Sequence, residues 1–122
     1  MTGTTLNFGG SSGLVITAPQ NSTISLTSAS AKTVTGYSAT TLPKIKNGGA
    51  GTLTLSGTGK YYDLASTGGG IITQGSTTQT FTQFTLKGTS GSPISLTSAT
   101  PGTKYTFSKS VGVADSKYLS IT

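Results

Sequence analysis

The chain has 122 residues, enough for one domain with a modest core, and Thr, Ser and Gly together make up about half of it. It contains no Cys, His, Glu or Arg, so the thiolate nucleophile, the commonest general base and most metal ligands are missing. The net charge of +6 arises from eight Lys against Asp63 and Asp115, and we expect neither enzymatic activity nor a cofactor or metal.

The high threonine content predicts β-structure rather than disorder. Threonine is β-branched and favoured in strands, and 8% of charged residues is low for a disordered chain. The lysines fall singly, and Arg, the preferred residue for phosphate and base contacts, is absent. We therefore expect no nucleic-acid partner. The basic surface either meets another acidic partner or keeps strand edges from pairing.

Alternating apolar residues predict a series of short strands and no helix. Residues 1–13 are polar and glycine-rich, with Leu6 and Phe8 as apolar anchors, and we interpret them as an N-terminal arm or cap. Residues 14–122 then form a single all-β repeat domain, without an apolar run near the ~20 residues of a membrane span. Turn residues separate the predicted strands, which span 14–16, 24–26, 53–55, 84–86, 94–96, 105–107 and 119–121.

An internal repeat indicates a solenoid. The hexapeptide Ile-Ser-Leu-Thr-Ser-Ala occurs at 24–29 and again at 94–99. Periods of 20–50 residues are typical of solenoids, in which similar coils stack to bury a common core. We expect a short parallel β-helix-like solenoid of about three to four coils, with residues 65–80 looped out, and the alternative is a β-sandwich or jelly roll. The apolar spacing of the unit occurs three times, at Ile16, Ile24 and Leu26, at Ile45, Leu53 and Leu55, and at Leu86, Ile94 and Leu96.

From about Gly51 to Thr122 the chain resembles the repetitive β-solenoid segments of phage virion proteins and bacterial extracellular proteins. The resemblance implies a short, self-contained virion component and carries over no functional residue. The motifs that carry it are Thr-Leu-Thr-Leu-Ser-Gly at 52–57, the Thr-rich segment 75–84, Leu-Lys-Gly-Thr at 86–89, Thr-Pro-Gly-Thr at 100–103 and Lys-Tyr-Leu-Ser-Ile at 117–121.

The first functional hypothesis is a non-enzymatic virion structural protein. It would decorate or cement a capsid, or form a short fibre or tail accessory, with other virion proteins (capsid shell or tail) as partners. The C-terminal segment is an apolar strand, and a bare strand edge pairs readily with another chain, so we also expect a homo-oligomer. The predicted partner contacts are Leu6, Phe8, Tyr118, Leu119 and Ile121.

The alternative is an extracellular or cell-surface adhesin, or a glycan-binding β module. Exposed aromatic rings stack on sugars, and the candidates are Tyr37 and Tyr61, with Asp63 as a hydroxyl acceptor. Sugar stacking by Tyr61 requires its ring to be exposed. The alternation favours an arrangement in which Tyr62 belongs to the core and Tyr61 alone of the two is exposed. The Thr-x-Thr pairs fall at different positions of the repeat, which argues against an ice-binding face.

Overall fold

A computed structural model of the chain describes residues 5–7, 23–35, 41–42, 44–66, 70–73, 77–109 and 114–122. Within these ranges there are thirteen short strands, and no helix is long and apolar enough to cross a membrane. The strands in chain order are β1 (Thr5–Asn7), β2 (Thr23–Leu26), β3 (Lys32–Thr35), β4 (Thr41–Leu42), β5 (Lys44–Asn47), β6 (Leu53–Ser56), β7 (Gly59–Ser66), β8 (Ile71–Thr73), β9 (Thr78–Lys87), β10 (Ile94–Ser98), β11 (Thr106–Lys109), β12 (Ala114–Lys117) and β13 (Leu119–Ile121).

The strands form two sheets, and the chain alternates between them. Sheet A has the order β1-β3-β6-β8-β10-β13, and sheet B has the order β2-β5-β7-β9-β11, with β4 beside β7 and β12 beside β9. Successive rungs are about 20 residues apart, since Ile45 pairs with Leu64 and Leu64 pairs with Phe84. The molecule is therefore a β-solenoid of about four turns, which confirms the predicted fold class. Every pair of named strands is parallel, so the sandwich alternative is wrong.

The two longest strands, β7 and β9, are each bent in the middle. The first part of β9 pairs with β11 and the last part with β12, while β7 pairs in the same way with β4 and then β5. At the bend the alternation of side chains breaks, because the adjacent residues Asp63 and Leu64 are both buried. Sheet B therefore has two arms, and each coil has three sides: sheet A and these two arms.

The core consists of ladders in which equivalent residues of successive coils stack. In sheet A, Leu53 pairs with Ile71 and Ile71 pairs with Leu96, and all three side chains are buried. In sheet B, the ring of Tyr61 stacks on that of Phe81, and Phe81 contacts Phe107 in the next coil, with centroids 5.4 and 5.5 Å apart. Each stacked apolar side chain is covered by its equivalents in the coils before and after it. This removal of apolar surface from water is the main contribution to the stability of the fold.

Two stacked turns enclose a buried lysine at the start of β3. The Lys32 side chain is 1% exposed, and its ammonium group donates to the carbonyl oxygens of Ser28, Ser30 and Gly51 at 2.6, 3.3 and 2.9 Å. The turns approach so closely that a Cβ on Gly51 would overlap the Ser30 carbonyl. This arrangement fixes the corner at which the chain passes from sheet B to sheet A.

The repeat was assigned correctly in part. The units starting at Ile45 and Leu86 both lead from sheet B into sheet A, but the strands β7 and β8 form a complete coil between them. The identical hexapeptides are not equivalent, because the first begins in β2 of sheet B and the second in β10 of sheet A. Both sheets require the same alternation of side chains, so strand sequence alone does not distinguish them.

The prediction that residues 65–80 loop out is wrong for the described part of that segment. It contains the end of β7, all of β8 and the start of β9, because the true period is about half of the 41-residue spacing between the second and third units. Of the predicted arm or cap, residues 5–7 form β1 and pair with β3. The rest of 1–13 lies outside the described residues, and the boundary at residue 14 stays a prediction.

Candidate functional site

The C-terminal end of the solenoid carries the most exposed apolar side chains of the described residues. Tyr118 is 56% exposed and Ile121 is 69% exposed, whereas the core side chains are almost completely buried. Both residues were predicted as partner contacts from the sequence. Leu119, the third such residue in this segment, is partly buried and packs against the core.

The exposure of Ile121 follows from its position in a core ladder. It pairs with Leu96, which is buried beneath Ile71, so it occupies the next inward position of the same ladder. In the described part of the chain no further coil covers it. Its side chain is therefore exposed within the described residues, and we call the surface formed by Tyr105, Tyr118, Leu119 and Ile121 the end surface.

The backbone of β13 presents an open edge next to these side chains. The Ile94 amide donates to the Tyr118 carbonyl, and the Thr122 amide donates to the Leu96 carbonyl, each at 3.0 Å. In a parallel ladder alternate residues face one neighbour, so the polar groups of Leu119 and Ile121 point away from β10. The end surface therefore offers both an apolar face and hydrogen-bonding groups for an added strand.

Tyr118 forms the corner between β12 and β13 in an unusual conformation. Its φ of 52° makes it the one non-glycine residue with positive φ among those described. This conformation is unfavourable for a side chain with a Cβ, and glycine would adopt it without strain. Tyr118 therefore combines a strained backbone conformation with a side chain that is 56% exposed.

An open cavity of about 650 Å³ lies beside Ile121. The Tyr105 hydroxyl is buried and has no hydrogen-bond partner among the described residues, and burial raises its pKa. A buried hydroxyl without a partner is costly, so a group that accepts or donates here would be stabilising. The cavity lining includes Thr97, Pro101, Thr103, Lys104, Tyr105 and Ile121.

The charge at this end is mainly positive. Lys104, Lys109 and Lys117 are exposed there, while Lys87 and Asp115 form an ion pair at 2.6 Å with both side chains about half exposed. An ion pair in contact with solvent contributes little to stability. The exposed lysines make the electrostatic potential at the end surface positive.

The predicted contact residues of the N-terminal segment lie elsewhere. Leu6 is in β1, where its backbone pairs with Val34 at the opposite end of sheet A from β13. Phe8 lies outside the described residues. The structure therefore places Leu6 and the C-terminal contact residues at two separate ends of the solenoid.

The predicted exposure of Tyr61 is wrong. Its side chain is 1% exposed and stacked on Phe81, while Tyr62 is only partly buried and lies under the Lys44 ammonium group, 5.7 Å from the ring centroid. The physical reason is the bend in β7, which shifts the inward positions by one residue. Of the other glycan candidates, Asp63 is 6% exposed and Tyr37 lies outside the described residues.

Asp63 is a buried carboxyl group inside the solenoid. Burial raises its pKa, and hydrogen bonds from the Thr85 side chain, the charge of Lys44 and backbone amides partly oppose this. Asp115, the other acidic residue, is on β12, which is separated from β7 by β9. Among the described ranges, no three side chains of the His, Cys, Asp and Glu types come close enough together to hold a metal ion.

Comparisons with known proteins assign no family to the chain: no family model, no curated protein and no solved structure matches it. The function is therefore inferred from the fold and from the end surface. The sequence predicted Tyr118, Leu119 and Ile121 as contact residues, and the structure adds Tyr105 and its cavity to the same candidate site. The alternation in Tyr105-Thr106-Phe107 identified a strand, yet nothing in it marked the strand as part of the last coil.

Proposed function

We propose that the chain is a non-enzymatic virion structural protein that docks through its end surface, either as capsid decoration or cement or as a short fibre or tail accessory. The observation that supports this most is the exposure of Ile121 and Tyr118 beside β13, which among the described strands pairs with β10 alone. Exposed apolar surface beside an unpaired strand edge is typical of an interaction site. The resemblance of residues 51–122 to virion solenoid segments supports the setting.

The rest of the molecule suits a structural role. Stacked parallel coils make a rigid rod in which each coil is held by its neighbours. The aromatic ladder of Tyr61, Phe81 and Phe107 and the buried Lys32 add contacts between coils. A surface with excess lysine also suits an acidic protein shell, since complementary potentials increase the rate of association.

Quantitative mass spectrometry of gradient-purified particles from the source tests this proposal. Copies comparable to those of the major shell protein indicate decoration or cement, and a few copies per particle indicate a tail or fibre part. Absence from the particles would contradict the virion role. The alternative, an extracellular adhesin or glycan-binding module, would then be favoured, although the burial of Tyr61 and Asp63 removes two of its three candidate residues.

The docking surface is tested by a charge placed at the end of the ladder. Ile121→Lys should abolish binding to purified particles from which the chain has been removed. The substitution replaces an exposed apolar side chain with a charged one, and burying that charge in the contact is costly. Thr58→Lys is the matched control, since Thr58 is exposed in the turn between β6 and β7, away from both ends. Equal binding by both variants would place the docking surface elsewhere.

A further inference from the structure

We infer that the outer side of sheet B carries a binding surface for an acidic polysaccharide, formed by Lys44, Lys46, Lys60 and Tyr62. We call these four residues the basic patch. They belong to β5 and β7, in the middle of the strand order of sheet B, and none of them is part of the end surface. The inference therefore goes beyond the proposed docking role and does not rest on it.

Charged residues in the described strands are concentrated on one side of the molecule. Of the six strands of sheet A, only β3 contains a charged residue, and this is the buried Lys32. A partner therefore meets either a neutral sheet A or a positively charged sheet B. The strands of sheet B contain six of the eight lysines, which are Lys44, Lys46, Lys60, Lys87, Lys109 and Lys117.

The lysines of the basic patch do not protect a strand edge. The strand β5 lies between β2 and β7, and β7 lies between β5 and β9, so both strands are paired on both sides. Lysine is depleted in strands, and it is on edge strands that it prevents unwanted pairing. Lys44 and Lys46 also lie two residues apart on the same outer face, where like charges repel. Edge protection and strand stability therefore do not account for these lysines, whereas binding to an anionic partner would.

The two acidic residues of the chain leave most of this positive charge available to a ligand. Asp63 of β7 is 6% exposed, so it contributes no anionic group to the surface, and of the patch lysines it interacts with Lys44. Asp115 forms its ion pair with Lys87, on β12 and β9. The ammonium groups of Lys46 and Lys60 therefore remain for the anionic groups of a partner.

Tyr62 adds an aromatic ring to the basic patch. It alternates with the buried Tyr61, so its side chain lies on the outer side of β7, and its ring centroid is 5.7 Å from the Lys44 ammonium group. Lys60 pairs with Thr80 of β9, which also faces outward. The surface thus combines ammonium groups that bind carboxylate or sulfate, a ring that packs against a sugar, and a hydroxyl that bonds to sugar hydroxyls.

These groups favour a polysaccharide over other anionic partners. Arg, the preferred residue for phosphate and base contacts, is absent from the chain. Single-stranded nucleic acids stack successive bases on several aromatic rings, and the basic patch has one. Protein interfaces usually have an apolar centre, and the basic patch contains no aliphatic residue.

Isothermal titration calorimetry with polygalacturonate and dextran sulfate, and with uncharged dextran for comparison, tests the inference. The chain should bind both acidic polymers at low ionic strength, lose affinity as salt screens the lysines, and not bind dextran. Lys46→Gln/Lys60→Gln should weaken binding about fivefold or more. Lys104→Gln/Lys117→Gln is the matched control, since it removes the same charge from exposed positions outside the basic patch and should bind like the original chain.

Equal losses in the two double variants would show that net charge alone attracts the polymers and would overturn the inference. Binding to neither acidic polymer, or tighter binding to a DNA duplex at the same ionic strength, would overturn it as well. Thermal unfolding verifies that the variants fold, and Lys60→Gln alone, at an exposed side chain, should show a smaller loss in the same direction. Ile121→Lys should keep its affinity for the acidic polymers while losing particle binding, so the two proposals fail independently.

Discussion

At the scale of the residue, Lys32 is a cation held inside the solenoid by backbone carbonyl groups. Burial lowers its pKa, but three carbonyl oxygens accept hydrogen bonds from the ammonium group and hold the charge in place. In the sequence it is one of eight similar lysines, and its burial depends on two turns that stack only in the folded coil. We therefore expect it to differ sharply from the exposed lysines in its effect on stability.

Lys32→Met should lower the free energy of unfolding by about 3 kcal/mol, because it leaves buried carbonyl groups without their charged donor. Urea denaturation of the purified chain measures this. Lys60→Met is the control, since Lys60 is exposed on β7 and its loss should change stability by less than about 0.5 kcal/mol. Equal effects of the two substitutions would contradict the role assigned to Lys32.

Asp63 gives the protein a pH dependence of known sign. Burial raises its pKa in the folded state, so the folded chain holds this proton more tightly than the unfolded chain does. The resulting stabilisation is complete below the unfolded pKa of about 4 and is lost as the pH rises through the folded pKa. The chain has no His or Glu, so Asp63 and Asp115 are its only acidic side chains.

The Tm should therefore fall as the pH is raised above about 4, and this slope should flatten in Asp63→Asn. Asp115→Asn is the control and should keep the slope, because Asp115 is half exposed on the last coil. Calorimetry at a series of pH values measures it. A slope that disappears in Asp115→Asn but persists in Asp63→Asn would show that the burial of Asp63 has no such effect.

Tyr118 allows stability and docking to be separated. Tyr118→Gly removes the strain of the positive φ but increases the freedom of the unfolded chain, so stability should change by less than about 1 kcal/mol. Docking to purified particles should nevertheless weaken, since the exposed ring is lost. Tyr62→Gly, the same substitution inside β7, should destabilise the chain by more than about 1 kcal/mol. Unchanged particle binding by Tyr118→Gly would exclude the ring from the contact.

At the scale of the element, the turns are as restrictive as the strands. The turn containing Gly49 and Gly51 lies directly against the carbonyl groups of the turn at 28–30 in the preceding coil. The Gly48 amide also donates to the Leu26 carbonyl at 3.0 Å. Close backbone approach, rather than an unusual φ, explains why glycine is required at these positions.

Gly51→Ala should destabilise the chain by about 1–3 kcal/mol, the usual effect of overpacking, because its Cβ would overlap the Ser30 carbonyl. Gly91→Ala is the matched control, since a Cβ there would have no atom within 4 Å. Thermal unfolding of both variants measures the difference. A tolerated Gly51→Ala would show that the two turns are not packed as closely as described.

The strands themselves were largely predictable, because alternation of apolar and polar residues is a local signal. Strands predicted near 24–26, 53–55, 94–96 and 119–121 are present, at the ends of the core ladders or within them. The assignment of a strand to a sheet was not predictable, since it depends on the direction of the preceding corner. The bend in β7 was also hidden, and it reversed the expected positions of Tyr61 and Tyr62.

At the scale of the whole molecule, the proposed docking role depends on the exposed apolar side chains of the last described coil. The residues Tyr118, Leu119 and Ile121 could be selected from sequence because they lie in an apolar segment with no charged residue within it. The cavity beside Tyr105 could not, because it forms between segments that are distant along the chain.

Hydrogen exchange of residues 118–122 tests this account most directly, in the free chain and again in the chain bound to purified particles. We expect the Leu119 and Ile121 amides to exchange rapidly in the free chain, while β7 and β9 are protected, and to become protected on binding. If these amides are already protected in the free chain, or stay unprotected in the bound chain, the end surface is not where the protein docks.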